Sequence, residues 1–250
     1  MENNIIRVGT YNVGNFSGEG VPAGSEGAKA AFREVIETSG VDLWALQEDV
    51  GFFDAATEEL PYHAVYDSYP TYLRRGEKKY NYKAFLTGLP IGEVEQIYYR
   101  GEEAFGHPWF LHAQITLNGH DVCLVCLHFD WADRDRRAAQ IAQVIEFASR
   151  YEYAMILGDF NPDDFVDKVK QSDDLTYEQD LSAFRRAGYN VANADRFGIF
   201  TTTAGSIRCG RKYPCDNIVV SGNIKIHQVG LVFRDWMNDH AALWADVEIC

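Results

Sequence analysis

The stretch MILGDFNPDD, residues 155–164, decides how the chain is read. Met155, Ile156 and Leu157 form an apolar run short enough for a buried strand, and Gly158 permits a close backbone approach that a side chain would obstruct. Asp159 and Asn161 then stand at the strand end. The two-residue period of a strand puts both on one face and Phe160 on the other, so a carboxylate and an amide are offered together beside a rigid sheet. Gly, Asp, Asn and Pro are also the commonest turn residues, so by itself the stretch fits a polar turn as well as a site.

Outward from it, the same event recurs. Ile5 to Tyr11 alternates weakly as a first strand and stops at Asn12, before a Gly-rich loop that runs to about Gly27. A helix from about Ala28 to Thr38, with Phe32, Val35 and Ile36 inside, is stopped by Ser39-Gly40. VDLWALQED, residues 41–49, is an apolar strand that delivers Glu48. Strands are predicted at 80–87 and 94–99, and FLHAQITLNGHDVCLVCLHF, residues 110–129, reads as a hairpin that turns at Asn118-Gly119 and ends on His128. Helical spacing covers Arg134 to Arg150, and a further helix about Tyr177 to Ala187. CDNIVVS (215–221) and HAALWADVEI (240–249) add two strands beside Asp216 and Asp239-His240. Strands mixed with a few helices and an antiparallel hairpin imply an α/β fold with more sheet than a simple βαβ repeat. Six strand ends of this kind are a poor match to ordinary loops, and packed sheets would gather them in one cleft.

No linker, repeat or low-complexity run divides the 250 residues, so one domain over 1–250 is expected. No apolar stretch reaches the length of a membrane span, and MENNIIRVGTYNVGNF lacks the basic and apolar regions of a secretion signal. A cytoplasmic protein is expected, although a mature secreted form would read the same way. The five cysteines are an odd number, and Cys123 and Cys126 fall inside a strand pattern, so reduced thiols are expected. Cys209 and Cys215 could close a loop or supply half a metal site, but no second pair stands at zinc-finger spacing. Lys+Arg 23 against Asp+Glu 37 gives a net charge of -14, which opposes long-range attraction to nucleic acid or anionic membranes. It leaves room for an enzyme that handles phosphate at one point with a metal ion and local basic loops.

The motifs together resemble the endonuclease/exonuclease/phosphatase superfamily. TYNVGNF, LWALQE, LVCLHFD, LGDFN, CDNIVVS and NDHAALWADV are similar to its six motifs in order and spacing, over nearly the whole chain. Asp49, Asn217 and Asn238 depart from the usual residues of those motifs and bear on the subfamily, not on the reacting groups. The resemblance implies a four-layer α/β sandwich, with two packed mixed β-sheets flanked by helices.

It also implies hydrolysis of phosphate esters by in-line attack of water. Glu48, with Asn12 and Asp239, would hold Mg²⁺, since hard oxygen ligands that leave several waters in place suit that ion; Mn²⁺ should substitute. Asp159 would orient or deprotonate the water and Asn161 would hold it or a phosphate oxygen. Asp216 would partner His240, the pair serving as general base or as a clamp on the phosphoryl group, and Asp159 and His240 would flank one phosphorus atom from opposite sides. His128 would touch the scissile phosphate. Basic runs at 74–79, at Arg134, Arg136 and Arg137, and at Arg208, Arg211 and Lys212 point to a polyanion, and Trp131, Tyr213 and Trp236 could stack on a base. A nuclease or nucleotide phosphodiesterase, monomeric and without stable membrane association, is therefore expected. The alternatives are a phosphomonoesterase acting on an inositol or sugar phosphate and an inactive binding protein of the same fold.

Overall fold

Tyr153–Asp159 is buried along all 7 of its residues in the computed structural model of the chain. Met155 and Leu157 join one apolar cluster with Leu43, Phe85 and Leu243, while Ala154 and Ile156 join another with Ile141 and Val144. A strand covered on both faces has no polar face to show, which is why the run reads as continuously apolar.

The structure describes residues 5–14, 25–49, 62–74, 77–101, 108–161, 177–194, 196–198, 200–210, 213–237 and 239–249, with the backbone alone at 49, 63–82 and 177–180. The elements run β1 (Ile5–Asn12), α1 (Glu26–Ser39), β2 (Leu43–Asp49), β3 (His63–Arg74), β4 (Glu77–Thr87), β5 (Glu95–Tyr98), β6 (Trp109–Leu117) and β7 (His120–His128). Then follow α2 (Arg134–Ala148), β8 (Tyr153–Asp159), α3 (Tyr177–Arg186), β9 (Tyr189–Val191), α4 (Ala204–Arg208), β10 (Asp216–Ser221), β11 (Ile224–Val232) and β12 (Ala242–Ile249).

Two sheets form, β11-β12-β1-β2-β4-β3 and β5-β6-β7-β8-β10-β9. Each is mixed: β1 with β2 and β7 with β8 run parallel, their other pairings antiparallel. Three apolar clusters separate the layers. Phe32, Val35 and Ile36 of α1 meet Trp44 and Leu86 on the outer face of the first sheet. Val8, Ala45, Leu124 and Leu157 pack between the sheets, and Val144 of α2 and Phe184 of α3 cover the outer face of the second. Helix, sheet, sheet and helices are the expected α/β sandwich.

Local chemistry sets the boundaries. Ser25 caps α1 by accepting from the Ala28 N–H at 3.1 Å, and Gly40 ends it at φ 65°. Asn118 and Gly119, at φ 52° and 81°, make the turn between β6 and β7 that the Asn-Gly dipeptide predicts. Two long strands escape the pattern. β3 carries Pro70 beside a register shift and lies at a sheet edge, where proline is tolerated, and β11 is an edge strand broken between Ile226 and Gln228. Cys123, Cys126, Cys209 and Cys215 are free thiols, so the loop disulfide is not formed.

Candidate active site

Register brings the polar strand ends together. Asp159 pairs with His128 of β7 on one side and with Asp216 of β10 on the other. Gly158 makes that possible: a Cβ there would stand 2.1 Å from the Leu127 carbonyl oxygen, so only glycine lets the strands close. From the other sheet, Asn12 reaches across and donates from Nδ2 to Asp159 Oδ2 at 3.1 Å and to Glu48 Oε1 at 3.0 Å.

Glu48 is held in an unusual way. The ladder with β4 skips from Gln47 to Asp49, leaving Glu48 as a bulge at φ 61°, a left-handed conformation that a non-glycine residue adopts at a cost of about 1–3 kcal/mol. The bulge re-aims the carboxylate, placing Oε1 3.6 Å from His128 Nδ1. His128 Nε2 lies 3.5 Å from Asp159 Oδ2. Asn161, at φ 39°, donates its backbone N–H to Asp159 Oδ1 at 2.9 Å and one amide hydrogen to the Phe129 carbonyl at 3.1 Å.

His240 Nδ1 sits 2.8 Å from Asp216 Oδ2, with both side chains buried. Its Nε2 is 3.6 Å from Asp159 Oδ2 and 3.8 Å from Asp239 Oδ1, whose side chain stands at the rim, 61% exposed. Asp159 and His240, expected to flank one phosphorus atom, stand side by side, with Oδ2 and Nε2 3.6 Å apart.

Burial pushes the Asp159 carboxyl up from its ordinary 3.8 to about 7, with the Asp216 charge adding and His240 opposing. Burial also raises Glu48. At His240 burial works against the charge, but the carboxylates of Asp216 and Asp159 outweigh it and hold the ring protonated well above the usual histidine range.

The expected residues thus converge: Asn12, Glu48, His128, Asp159, Asp216 and His240 in one buried cluster, Asn161 beside it and Asp239 at its mouth. Ligating atoms of Asp159, Asp216 and His240 all lie within 4.8 Å of one another. The donor set suits a hard divalent cation. The Asn12 amide donates to two carboxylates at once, the buried Asp159 and the partly buried Glu48, and Asp216 Oδ1 is buried without a hydrogen-bond partner. Asn12 Oδ1 accepts from the Gly14 N–H at 3.0 Å, so its nitrogen faces the carboxylates here.

Two supports were not legible in sequence. Thr202 accepts the Asp216 N–H through Oγ1 at 2.9 Å and the Ala241 N–H through its carbonyl at 2.6 Å, joining the start of β10 to the segment that carries His240. Asn193 donates to the Asp216 carbonyl at 3.2 Å. Neither stands at a strand end or in a motif, so no signal marked them.

The basic loops are corrected in part: Arg134 is exposed, but three other arginines are engaged inside the protein. Arg137 is buried and donates to the Asp130 carbonyl, Arg136 pairs with the Asp130 carboxylate at 2.9 Å, and Arg208 donates to the carbonyls of Asp235 and Met237. These guanidiniums hold loops. Arg75, Arg211 and Lys212, and the side chains of Arg74, Lys78 and Lys79, lie outside the described residues. Tyr213 is buried packing, whereas Trp131, three residues past His128, is 56% exposed.

The sequence model of the Endonuclease/Exonuclease/phosphatase family matches residues 9–233. No curated protein matches the chain significantly in sequence. Among solved structures, an endonuclease/exonuclease/phosphatase from Beutenbergia cavernae has a TM-score of 0.77 at 12% identity, covering 99% of this chain and 72% of that one. A 3′ phosphatase from Neisseria, bound to product DNA hairpin, has a TM-score of 0.69 at 18% identity, covering 96% and 98%. A mannosyl-6-phosphatase from Bacteroides thetaiotaomicron has a TM-score of 0.67 at 15% identity, covering 97% and 99%. At these identities the likeness is one of fold.

Proposed function

Since the chain belongs to the endonuclease/exonuclease/phosphatase family, we propose that it is a divalent-metal-dependent phosphoesterase whose substrate is a phosphodiester of a nucleotide or nucleic acid. The observation that carries the reading is the buried Asp159, Asp216 and His240 cluster facing Glu48 and Asn12.

Glu48 and Asp239 would hold Mg²⁺, or Mn²⁺ in its place, and Asn12 would join them once its amide turns to present the oxygen that now accepts from Gly14. When bound, the ion supplies positive charge against the phosphoryl oxygens and lowers the barrier to attack. The protein's own groups divide the remaining work. Asp159, with one oxygen fixed by the Asn161 N–H, orients the attacking water and accepts its proton. His240 arrives already protonated, which suits a clamp on a phosphoryl oxygen and not a base. Asp216 fixes the ring through Nδ1 and leaves Nε2 as the donor. The second amide hydrogen of Asn161 and the imidazole of His128 complete the cradle.

Exposed Trp131, three residues past His128, favours a substrate with a base to stack. The second reading, a phosphomonoesterase on a sugar or inositol phosphate, is favoured by Arg136, Arg137 and Arg208 being engaged inside the protein, which removes part of the case for a polyanion. Purified protein with Mg²⁺ against plasmid DNA, oligoribonucleotides, bis-p-nitrophenyl phosphate and inositol polyphosphates, each with and without EDTA, tests both. Hydrolysis surviving EDTA after trace metal removal refutes the metal requirement, and release of phosphate from monoesters alone selects the second reading.

A further inference from the structure

A second cleft opens between β9 and the start of β11, of about 530 Å³, within the size range of small-molecule pockets. Arg185, Arg196 and Lys225 line it with Tyr189, Asn190 and Phe197, and no described carboxylate does. In a chain carrying 37 acidic against 23 basic side chains, three cations lining one concavity run against the overall charge. Lys225 is drawn only to 3.8 Å from Glu248, whose shorter contact, 2.7 Å, goes to His227.

The walls are fixed. Asn190 donates to the carbonyls of Ile224 at 3.0 Å and Gly222 at 3.4 Å, tying β9 to the turn that carries Lys225. Asn193 binds the Phe200 carbonyl at 2.8 Å and accepts the Phe200 N–H at 2.7 Å, closing the loop that holds Arg196. The Arg196 guanidinium lies 5.2 Å from the Phe197 ring centroid, pre-oriented over it. None of these residues belongs to the catalytic cluster. Val191 pairs with Val219 and Tyr189 with Ser221, three and five residues along β10 from Asp216, so this wall of the cleft stands roughly 10–17 Å from that residue at the usual rise of a strand.

We propose that this cleft is a second binding site, for a phosphate-bearing ligand of nucleotide size. A phosphate monoester presents a dianion with several acceptor oxygens, which the Arg196 guanidinium and the Lys225 ammonium match better than they match a carboxylate, with Arg185 adding positive charge to the wall. The volume leaves room for a sugar or base beside it, against Phe197 and Tyr189. Such a ligand could come free, as a mononucleotide, or as the 5′-phosphorylated end of a strand.

The full-length protein, labelled with ¹⁵N and free of metal, is titrated with AMP, inorganic phosphate and a short 5′-phosphorylated single-stranded oligonucleotide while backbone amides are followed by NMR. The expected result is saturable shifts at Val191, Gly222 and Lys225 with AMP, at least tenfold tighter than with phosphate. The combined variant Arg185→Gln, Arg196→Gln, Lys225→Gln should abolish them while hydrolysing bis-p-nitrophenyl phosphate at the wild-type rate; the single variant Lys225→Gln, weakening AMP at least threefold, serves if the combined one does not fold. Tighter binding of AMP assigns the source to free nucleotide, and of the oligonucleotide to a strand. Shifts confined to residues around Asp159 and His240, shifts that persist in the variants, or equal affinity for phosphate and AMP overturn the proposal. Because binding is read without turnover, failure of the catalytic reading leaves this test intact.

Discussion

His240 Nδ1 and Asp216 Oδ2 stand 2.8 Å apart in a buried contact, and that contact favours the charged form of the ring. Replacing Asp216 with Asn keeps the shape and removes the counter-charge. The ring should then lose its proton at lower pH, and Asp159, no longer beside a second carboxylate, should ionise at lower pH too. Both limbs of the kcat profile should therefore move down in pH, with kcat at the optimum falling on the order of a hundredfold. A profile that keeps wild-type limbs would mean that Asp216 does not govern His240.

Stability should carry the same signature. Asp159, raised by burial from 3.8 to about 7, and His240, raised by its carboxylate partners, both bind protons more tightly in the folded chain than in the unfolded one. Stability from such groups is fully present below the unfolded pKa and is lost as pH rises through the folded one, which for Asp159 means between 3.8 and about 7. The metal-free protein should melt lower at about pH 8 than at about pH 5, and Asp159→Asn should flatten that slope. Melting curves with an identical slope in the variant would remove Asp159 as its source.

Glu48 trades stability for position. Its left-handed φ of 61° and partly desolvated carboxylate both cost free energy, so Glu48→Gly should raise the metal-free melting temperature by a few degrees, a gain of about 1 kcal/mol. The same variant should lose most of the stabilisation that Mg²⁺ gives the wild type. A glycine variant that melts lower without metal and still gains fully from Mg²⁺ would contradict both halves.

Gly158 should tolerate nothing larger. A Cβ 2.1 Å from the Leu127 carbonyl must push two central strands apart, so Gly158→Ala should cost about 3 kcal/mol or more, on the order of 10 °C in melting temperature. A near-wild-type melt would mean that the β7–β8 pairing is looser than it stands.

Sequence pattern made the buried middle of the fold legible, and for a physical reason. β8, β7 and β10 are covered on both faces, so their apolar runs are unbroken and their ends are abrupt, which is what put Asp159, His128 and Asp216 in view. β3 and β11 lie at sheet edges, where proline and bulges are allowed and the pattern weakens. The arginines misled because sequence gives their charge and not their partners: Arg137 reads like a surface cation and is buried against a backbone carbonyl. Thr202 was invisible for the converse reason, since its role comes from where an irregular loop passes and not from any local signal.

The central claim, that Asp159 handles the attacking water while His240 holds the phosphoryl group, is tested most directly by the steady-state kinetics of Asp159→Asn and His240→Gln with saturating Mg²⁺. Bis-p-nitrophenyl phosphate serves as a substrate that needs no distant contacts. Each variant should keep its melting temperature to within a few degrees and lose on the order of a hundredfold or more in kcat. Because the two groups lie 3.6 Å apart and act as one unit, the double variant should be little worse than the poorer single one. A folded single variant that retains more than about a tenth of wild-type kcat would show that its residue is not a principal catalytic group and would contradict the account.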